Sequence, residues 1–274
     1  MLSVSFPRSP HAHARIDRIE TAEARSMPGV VLVVTAAELR AVAKPLAPRL
    51  EGAGFTQTPW PALADGTASF CGEAVAAVVA ASAEIAADAR EKISVDWTPL
   101  PAVTSLDQAE AADRVIFHRR HRAGNVDAAF AQARLVVSET FEHGRCAPMP
   151  MEPRGMVADW DGDTLTLWSP SQCPSLMRTA LAAALDLPEM RVRIVTPDVG
   201  GGFGLKMQVF PEDVVVAALA RMLRQPVKWM EERRENLSAA SQARQGRTTI
   251  EIAAAAGGTL LAVRGPIASD GGAN

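Results

Sequence analysis

The sequence predicts a mixed α/β (α+β) fold, and three observations carry that prediction. Buried apolar runs such as Val75 to Ala80 alternate with amphipathic segments such as Glu84 to Lys92. Met156 to Trp160 and Thr164 to Trp168 flank Asp161-Gly162-Asp163, the spacing and turn chemistry of a hairpin. Val192 to Val195 then leads through a glycine-dense stretch, Asp198 to Lys206, into a helical pattern that opens at Pro211.

Leu2, Val4 and Phe6 alternate with polar or small residues, a short strand with one buried face. His11 and His13 are placed on one strand face, as hydrogen-bonded structural histidines, since no third metal ligand lies near. Val30 to Val34 reads as a strand, and Thr35 with Glu38 fits a capping box. Residues 44–69, rich in Pro and Gly, read as a loop. Val75 to Ala80, a helix capped by Ser82 with Ile85 and Ala89 inward, and alternating Ile93, Val95 and Trp97 read as a β-α-β unit. Residues 1–105 thus form one small mixed domain, and the polar stretch 106–123 a linker. From 124 onward the pattern gives a short helix at Asn125 to Ala133 and a strand at Leu135 to Phe141. The hairpin follows, then a helix capped by Ser175 that ends before Pro188. A helix from Pro211 to Arg224 and strands at Val227 to Trp229, Thr248 to Ile252 and Leu260 to Val263 complete the reading.

Composition narrows the function. The 274 residues are 48% hydrophobic with a net charge of −3, as suits a globular chain with a sizeable core. No basic run points to nucleic acid, and no run of ~20 apolar residues points to a membrane span. Met1-Leu2-Ser3 enters a strand directly, unlike a signal peptide. Cys71, Cys146 and Cys173 are widely spaced and never C-x-x-C. That disfavours a disulfide scaffold, a zinc ribbon and a four-cysteine iron–sulfur site, and it points to a reducing cytoplasm.

The glycine stretch Gly200-Gly201-Gly202-Phe203-Gly204-Leu205-Lys206 carries the chemistry. Such a loop between strand and helix offers N–H groups to an anionic or oxo ligand. It is not a P-loop, because Met207 follows Lys206 where Ser or Thr is needed, and its spacing fails the dinucleotide fingerprint. A tight turn and a small-anion module without catalysis remain open on these residues alone.

Six further stretches stand in order along the chain: Arg8 to Ile16, Cys71 to Val75, Met151-Glu152-Pro153, Ser171-Gln172-Cys173-Pro174, Arg224 to Trp229 and Arg234-Glu235-Asn236. With the glycine loop they resemble the molybdopterin-binding large subunit of the xanthine dehydrogenase, aldehyde oxidase and carbon monoxide dehydrogenase family. The resemblance implies an a/b hammerhead domain over about 1–105 and a truncated molybdenum-cofactor domain over 124–274. It implies a molybdenum–pterin cofactor, in many members a molybdopterin cytosine dinucleotide, and hydroxylation with water as oxygen source. FAD and 2Fe-2S clusters are then expected on a FAD-binding medium subunit and an iron–sulfur small subunit. Gln172 matches the family glutamine beside the apical oxo ligand, and Gly201, Gly202, Phe203 and Gly204 match the loop that approaches the metal. Glu152 and Lys206 are read as structural. Met207 stands where purine-hydroxylating members carry a glutamate, which points to an aldehyde, carbon monoxide or N-heterocycle.

Family members are much longer. The part expected after Asp270-Gly271-Gly272-Ala273 would carry the catalytic glutamate, so no residue here is assigned as general base or metal ligand. The chain is expected to be incomplete on its own, completed by a second polypeptide or by its own continuation. An inactive remnant is the alternative.

Overall fold

The computed structural model describes residues 1–47, 55–56, 58–112 and 115–272. The first part holds β1 (Leu2–Ser5), β2 (Ala14–Glu20), α1 (Ala22–Ser26), β3 (Val30–Thr35), α2 (Ala36–Leu39), β4 (Thr67–Ala68), β5 (Ala76–Ala80), α3 (Ala83–Glu91) and β6 (Ser94–Pro99). Then come α4 (Leu106–Ala111), α5 (Val126–Gln132), β7 (Leu135–His143), β8 (Gly155–Trp160), β9 (Leu165–Trp168), α6 (Pro174–Leu185) and β10 (Val192–Val195). The last elements are α7 (Pro211–Leu223), β11 (Val227–Met230), α8 (Arg233–Ala239), β12 (Gly246–Ala254), β13 (Leu260–Arg264) and β14 (Ile267–Ser269).

Seven strands form the main sheet in the order β10-β9-β8-β11-β1-β5-β3. Strands from both sides of residues 106–123 therefore share one sheet, joined where β1 runs parallel to β11 (Leu2 beside Val227). β9 and β10 are also parallel, with α6 as their crossover. The register follows from side-chain alternation. Val33 and Val78 point to one face, against Ala24 of α1 and Ala89 of α3. Val34, Ala77 and Val79 point to the other, into the principal core with α6 and α7. α7 is buried from Pro211 to Ala220, which its almost entirely apolar composition allows. Phe6 meets Trp229 edge-on at 5.5 Å beside it. Each fully buried Val or Leu here contributes roughly 1.5–3 kcal/mol.

Local chemistry explains most boundaries. Thr35 and Glu38 form the expected capping box, and Ser82 accepts the Ile85 N–H (3.3 Å). Asp161 Oδ1 accepts from the Asp163 and Thr164 N–H groups (2.9 and 2.7 Å), closing the hairpin turn between β8 and β9.

Several expectations are corrected. β5 and β6 lie in different sheets, β6 pairing with β2 beside β4, so residues 75–97 are not a one-sheet β-α-β unit. Cys173, not Ser175, is the N-cap of α6. Pro174 occupies the first helical turn, where its missing N–H costs nothing, and Ser171 Oγ accepts the Cys173 N–H (3.1 Å). His11 and His13 sit in a bend before β2. There His11 packs on Trp97 (5.6 Å) and His13 Nδ1 lies 2.7 Å from the Pro101 carbonyl. The polar stretch after 105 contains α4, capped by Ser105, because Asp107 and Glu110 gain a partner in Arg247 of β12 (2.7 and 3.4 Å). Ile85 is half-buried and Ala86 is buried instead. Within 44–69, Leu46 and Trp60 form a bridge and β4 is a short strand, while 48–54 and 57 lie outside the described residues.

Candidate functional site

The glycine loop leaves the end of β10 and returns through a turn of 3-10 helix, Leu205–Met207, before α7. Two flanking segments hold it. The Glu152 carboxylate accepts the Gly200 N–H (2.8 Å) and the Lys206 ammonium (2.7 Å). The Gln172 N–H donates to the Lys206 carbonyl (2.9 Å). Lys206 is buried, and partial burial of the Glu152 carboxylate would push its pKa up. The ammonium and the Gly200 N–H instead hold it below the ordinary glutamate value. Glu152 and Lys206 are thus a brace across the loop, which explains both residues without a catalytic role.

Sterics explain the glycines. A Cβ on Gly202 would lie 2.5 Å from Gln172 Cδ, so only glycine admits that side chain. Gly201 has φ +97°, a left-handed conformation that an L side chain strains. Phe203 takes φ 51° without being glycine, and its ring is 74% exposed at the loop tip. A left-handed phenylalanine held outward is the kind of backbone strain found at ligand sites.

Gln172 Oε1 accepts the Gly204 N–H (3.2 Å). This fixes the carbonyl end of the amide toward the loop and leaves its NH₂ end facing outward. The N–H groups of Gly201, Gly202 and Phe203 have no acceptor among the described residues. The loop and Gln172 together therefore present uncharged donors that the described residues leave unpaired. That set fits an oxo-bearing or anionic group, and it stays a donor set at any physiological pH. Among the described residues no three His, Cys, Asp or Glu side chains converge as metal ligands, so a metal at this loop would need its own organic ligand. All five sequence-predicted site residues are brought together: Gln172, Gly201, Gly202, Phe203 and Gly204.

Beneath the loop lies a buried ionic cluster that the sequence reading did not find. Arg154 donates through Nε and Nη2 to Glu231 (2.9 and 2.6 Å) and through Nη1 to Glu212 (3.3 Å), with its guanidinium 3.9 Å from the Phe210 ring centre. Arg8 bridges Glu212 (2.7 Å) and Glu235 (3.0 Å), and Asn236 donates to Glu231 (2.9 Å). The cluster ties the segment after β1 to α7, α8 and the start of β8. Burial would raise the Glu212 carboxyl, but Arg154 and Arg8 override it and hold it at about 2. Burial raises Asp213 to about 7 despite the Phe210 N–H that it accepts. Burial likewise raises Glu73, with Glu212 adding to the effect, to about 7. Burial opposes the Arg154 charge, yet Glu212 and Glu231 push its pKa above the ordinary arginine value. Arg8, Glu235 and Asn236 fall in stretches that carry the resemblance, and Pro211-Glu212-Asp213 reads as ordinary helix N-terminal acids, but nothing in the sequence joins them to Arg154 and Glu231.

This strand–loop–helix unit lies in the part of the chain that matches a cofactor-binding domain. Residues 108–274 match the molybdopterin cofactor-binding domain, and residues 1–101 match the aldehyde oxidase and xanthine dehydrogenase a/b hammerhead domain. The chain belongs to the xanthine dehydrogenase and aldehyde oxidase family of molybdenum hydroxylase large subunits. It is 38% identical to the nicotine 6-hydroxylase large subunit of Paenarthrobacter nicotinovorans, over 99% of this chain and 35% of that one. It is 37% identical to the carbon monoxide dehydrogenase large chain of Afipia carboxidovorans, over 100% of this chain and 36% of that one. Quinoline 2-oxidoreductase from Pseudomonas putida 86 superposes with a TM-score of 0.89 at 38% identity, covering 97% of this chain and 35% of that structure. The chain thus spans about a third of the length of these relatives. No helix among the described residues is long and apolar enough to cross a membrane.

Proposed function

We propose that this chain is the cofactor-cradling part of a molybdenum hydroxylase large subunit, in which Gln172 and the Gly201–Gly204 backbone hold the oxo end of a molybdenum–pterin group. The observation that carries the reading is the Gln172 amide, whose oxygen is taken by the Gly204 N–H while its NH₂ end stays available. When bound, that group would supply the redox chemistry of a hydroxylation with water as oxygen source. The chain's own contribution is positional. Gly202 gives Gln172 room, and the Glu152–Lys206 brace fixes the loop ends.

The cytosine dinucleotide form of the pterin fits the likeness to the carbon monoxide dehydrogenase large chain. An iron–sulfur small subunit and a FAD-binding medium subunit would take the electrons in the cytoplasm. Met207 beside the loop favours an aldehyde, carbon monoxide or N-heterocycle over a purine. No residue of the chain is assigned as general base, so turnover requires the rest of a large subunit.

The test is expression in a host that makes the cofactor, with molybdenum read by mass spectrometry and pterin by fluorescence after oxidation. The 274 residues alone should hold little of either and show no turnover. Assembled with the remaining large-subunit sequence they should hold both, and Gln172→Ala should lower the molybdenum content. Stoichiometric molybdenum and aldehyde oxidation by the isolated chain would overturn the proposal.

A further inference from the structure

The segment between β7 and β8 reaches the glycine loop without regular structure of its own. Pro148, Pro150 and Pro153 stiffen it and remove N–H donors that could tie it down. Its long side chains give little anchorage, since Met149 is 56% and Met151 91% exposed. Yet this segment places the loop. Pro150 is buried, and a Cβ on Gly201 would lie 3.1 Å from the Pro150 Cβ. The Glu152 N–H donates to the Gly200 carbonyl (3.2 Å) while the Glu152 carboxylate accepts the Gly200 N–H (2.8 Å), a two-way clasp.

What fixes residues 150–152 is the start of α8. Arg233 Nη2 donates to the Pro150 carbonyl and to the Met151 carbonyl (3.1 Å), and Arg233 Nη1 donates to Asn236 Oδ1 (2.9 Å). Asn236 is buried and donates in turn to Glu231 (2.9 Å). Glu231 exchanges two bonds with Arg154, its carboxylate accepting the Arg154 N–H and its own N–H donating to the Arg154 carbonyl (both 2.9 Å). The segment is thus pinned at 150–151 by Arg233 and at 154 by Glu231, with Glu152 between the pins and on the loop. Unlike Arg8 and Arg154, Arg233 has no carboxylate partner among the described residues, so its donors go to two carbonyls and one amide. Nor does α8 need it as a cap, because the Glu232 N–H already donates to the Glu235 carboxylate (2.9 Å). A planar guanidinium serves acceptors on two sides at once, which a lysine ammonium does not reproduce. We infer that Arg233 is a positioning residue for the cofactor loop: by holding the Pro150 and Met151 carbonyls it keeps Glu152 on Gly200, and with it the Gly200–Gly204 backbone in its donor arrangement. The inference rests on the cofactor reading above.

The experiment compares Arg233→Met, Arg233→Lys and Arg234→Met with wild type in the chain assembled with the remaining large-subunit sequence. Arg234 is the exposed neighbour on the same helix and serves as control. In protein made without molybdate, hydrogen exchange is followed residue by residue by mass spectrometry at the bonded loop amides of Gly200, Gly204 and Leu205. Arg233→Met should speed their exchange about tenfold or more, while amides of α7 and β11 stay within about twofold of wild type. Arg233→Lys should recover only a minor part of the protection, and Arg234→Met should change nothing. In protein made with molybdate, Arg233→Met should lose molybdenum on dialysis about fivefold faster than wild type. Unchanged loop exchange in Arg233→Met, full rescue by lysine, molybdenum retention equal to wild type, or faster exchange spread evenly over α7 and β11 would overturn the inference. A wild-type subunit that takes up no molybdenum would instead overturn the cofactor reading, and the exchange rates alone would then decide the role of Arg233.

Discussion

Replacing Arg154 with Met tests the buried cluster. The substitution keeps much of the side-chain volume against Phe210 and Trp229, but it removes a cation that is 5% exposed and shared by two carboxylates. Glu212 retains Arg8 at 2.7 Å, whereas Glu231 keeps only the Asn236 amide and the residue 154 N–H. Breaking one side of a buried pair costs about 3–5 kcal/mol, because the charge left behind is uncompensated. For a chain of this size that lowers the melting temperature by roughly 6–20 °C. The pH dependence sharpens the test. Glu212 is held at about 2 in the folded state, below its ordinary 4.5. Its contribution is therefore complete above pH ~4.5 and is lost as pH falls toward 2. Arg154→Met removes part of that contribution, so the gap between wild type and variant should narrow from pH 7 to pH 3. Scanning calorimetry or urea unfolding at both pH values reads it. A melting temperature within 2 °C of wild type at pH 7, or a gap that stays constant down to pH 3, would refute the argument.

Asp213 is raised to about 7 from an unfolded value near 3.8, so its contribution runs the other way. Stability should fall between pH ~4 and ~7, then level off, and Asp213→Asn should flatten that slope in urea titrations while keeping the oxygen that accepts the Phe210 N–H. Gly202→Ala, at a position without positive φ, should cost only about 1–3 kcal/mol by pushing Gln172 aside, yet lower molybdenum retention in the assembled subunit more than its effect on melting explains. Lys206→Met should speed amide exchange at Gly200 through Gly204 with little loss of global stability, since its partner Glu152 is 38% exposed.

Elements governed by local chemistry were legible in the sequence. Alternation placed β1, Asp-Gly placed the hairpin, Pro211 opened α7, and Thr35 with Glu38 closed a capping box. The candidate site was legible for the same reason: a close backbone approach demands glycine, and glycine leaves a visible trace. Long-range pairing left none. Nothing in Leu2 or Val227 states that they lie side by side, and β5 and β6 look contiguous until the sheets part. The buried cluster was hidden because Arg8, Arg154, Glu212 and Glu231 are separated by up to 223 positions, and each alone resembles a surface charge. Ser175 misled because Pro174 claims the first helical turn and moves the cap upstream.

The parallel seam between β1 and β11 also sets an order of events during synthesis. Leu2 emerges first but waits for Val227 before its strand has both neighbours. At about 5–20 residues per second, some ten to forty-five seconds of translation separate them. Through that interval the apolar positions Leu2, Val4 and Phe6 lack the layer that α7 later supplies. A chain cut short of residue 230 would leave β1 without its parallel neighbour, an open sheet edge prone to mispairing.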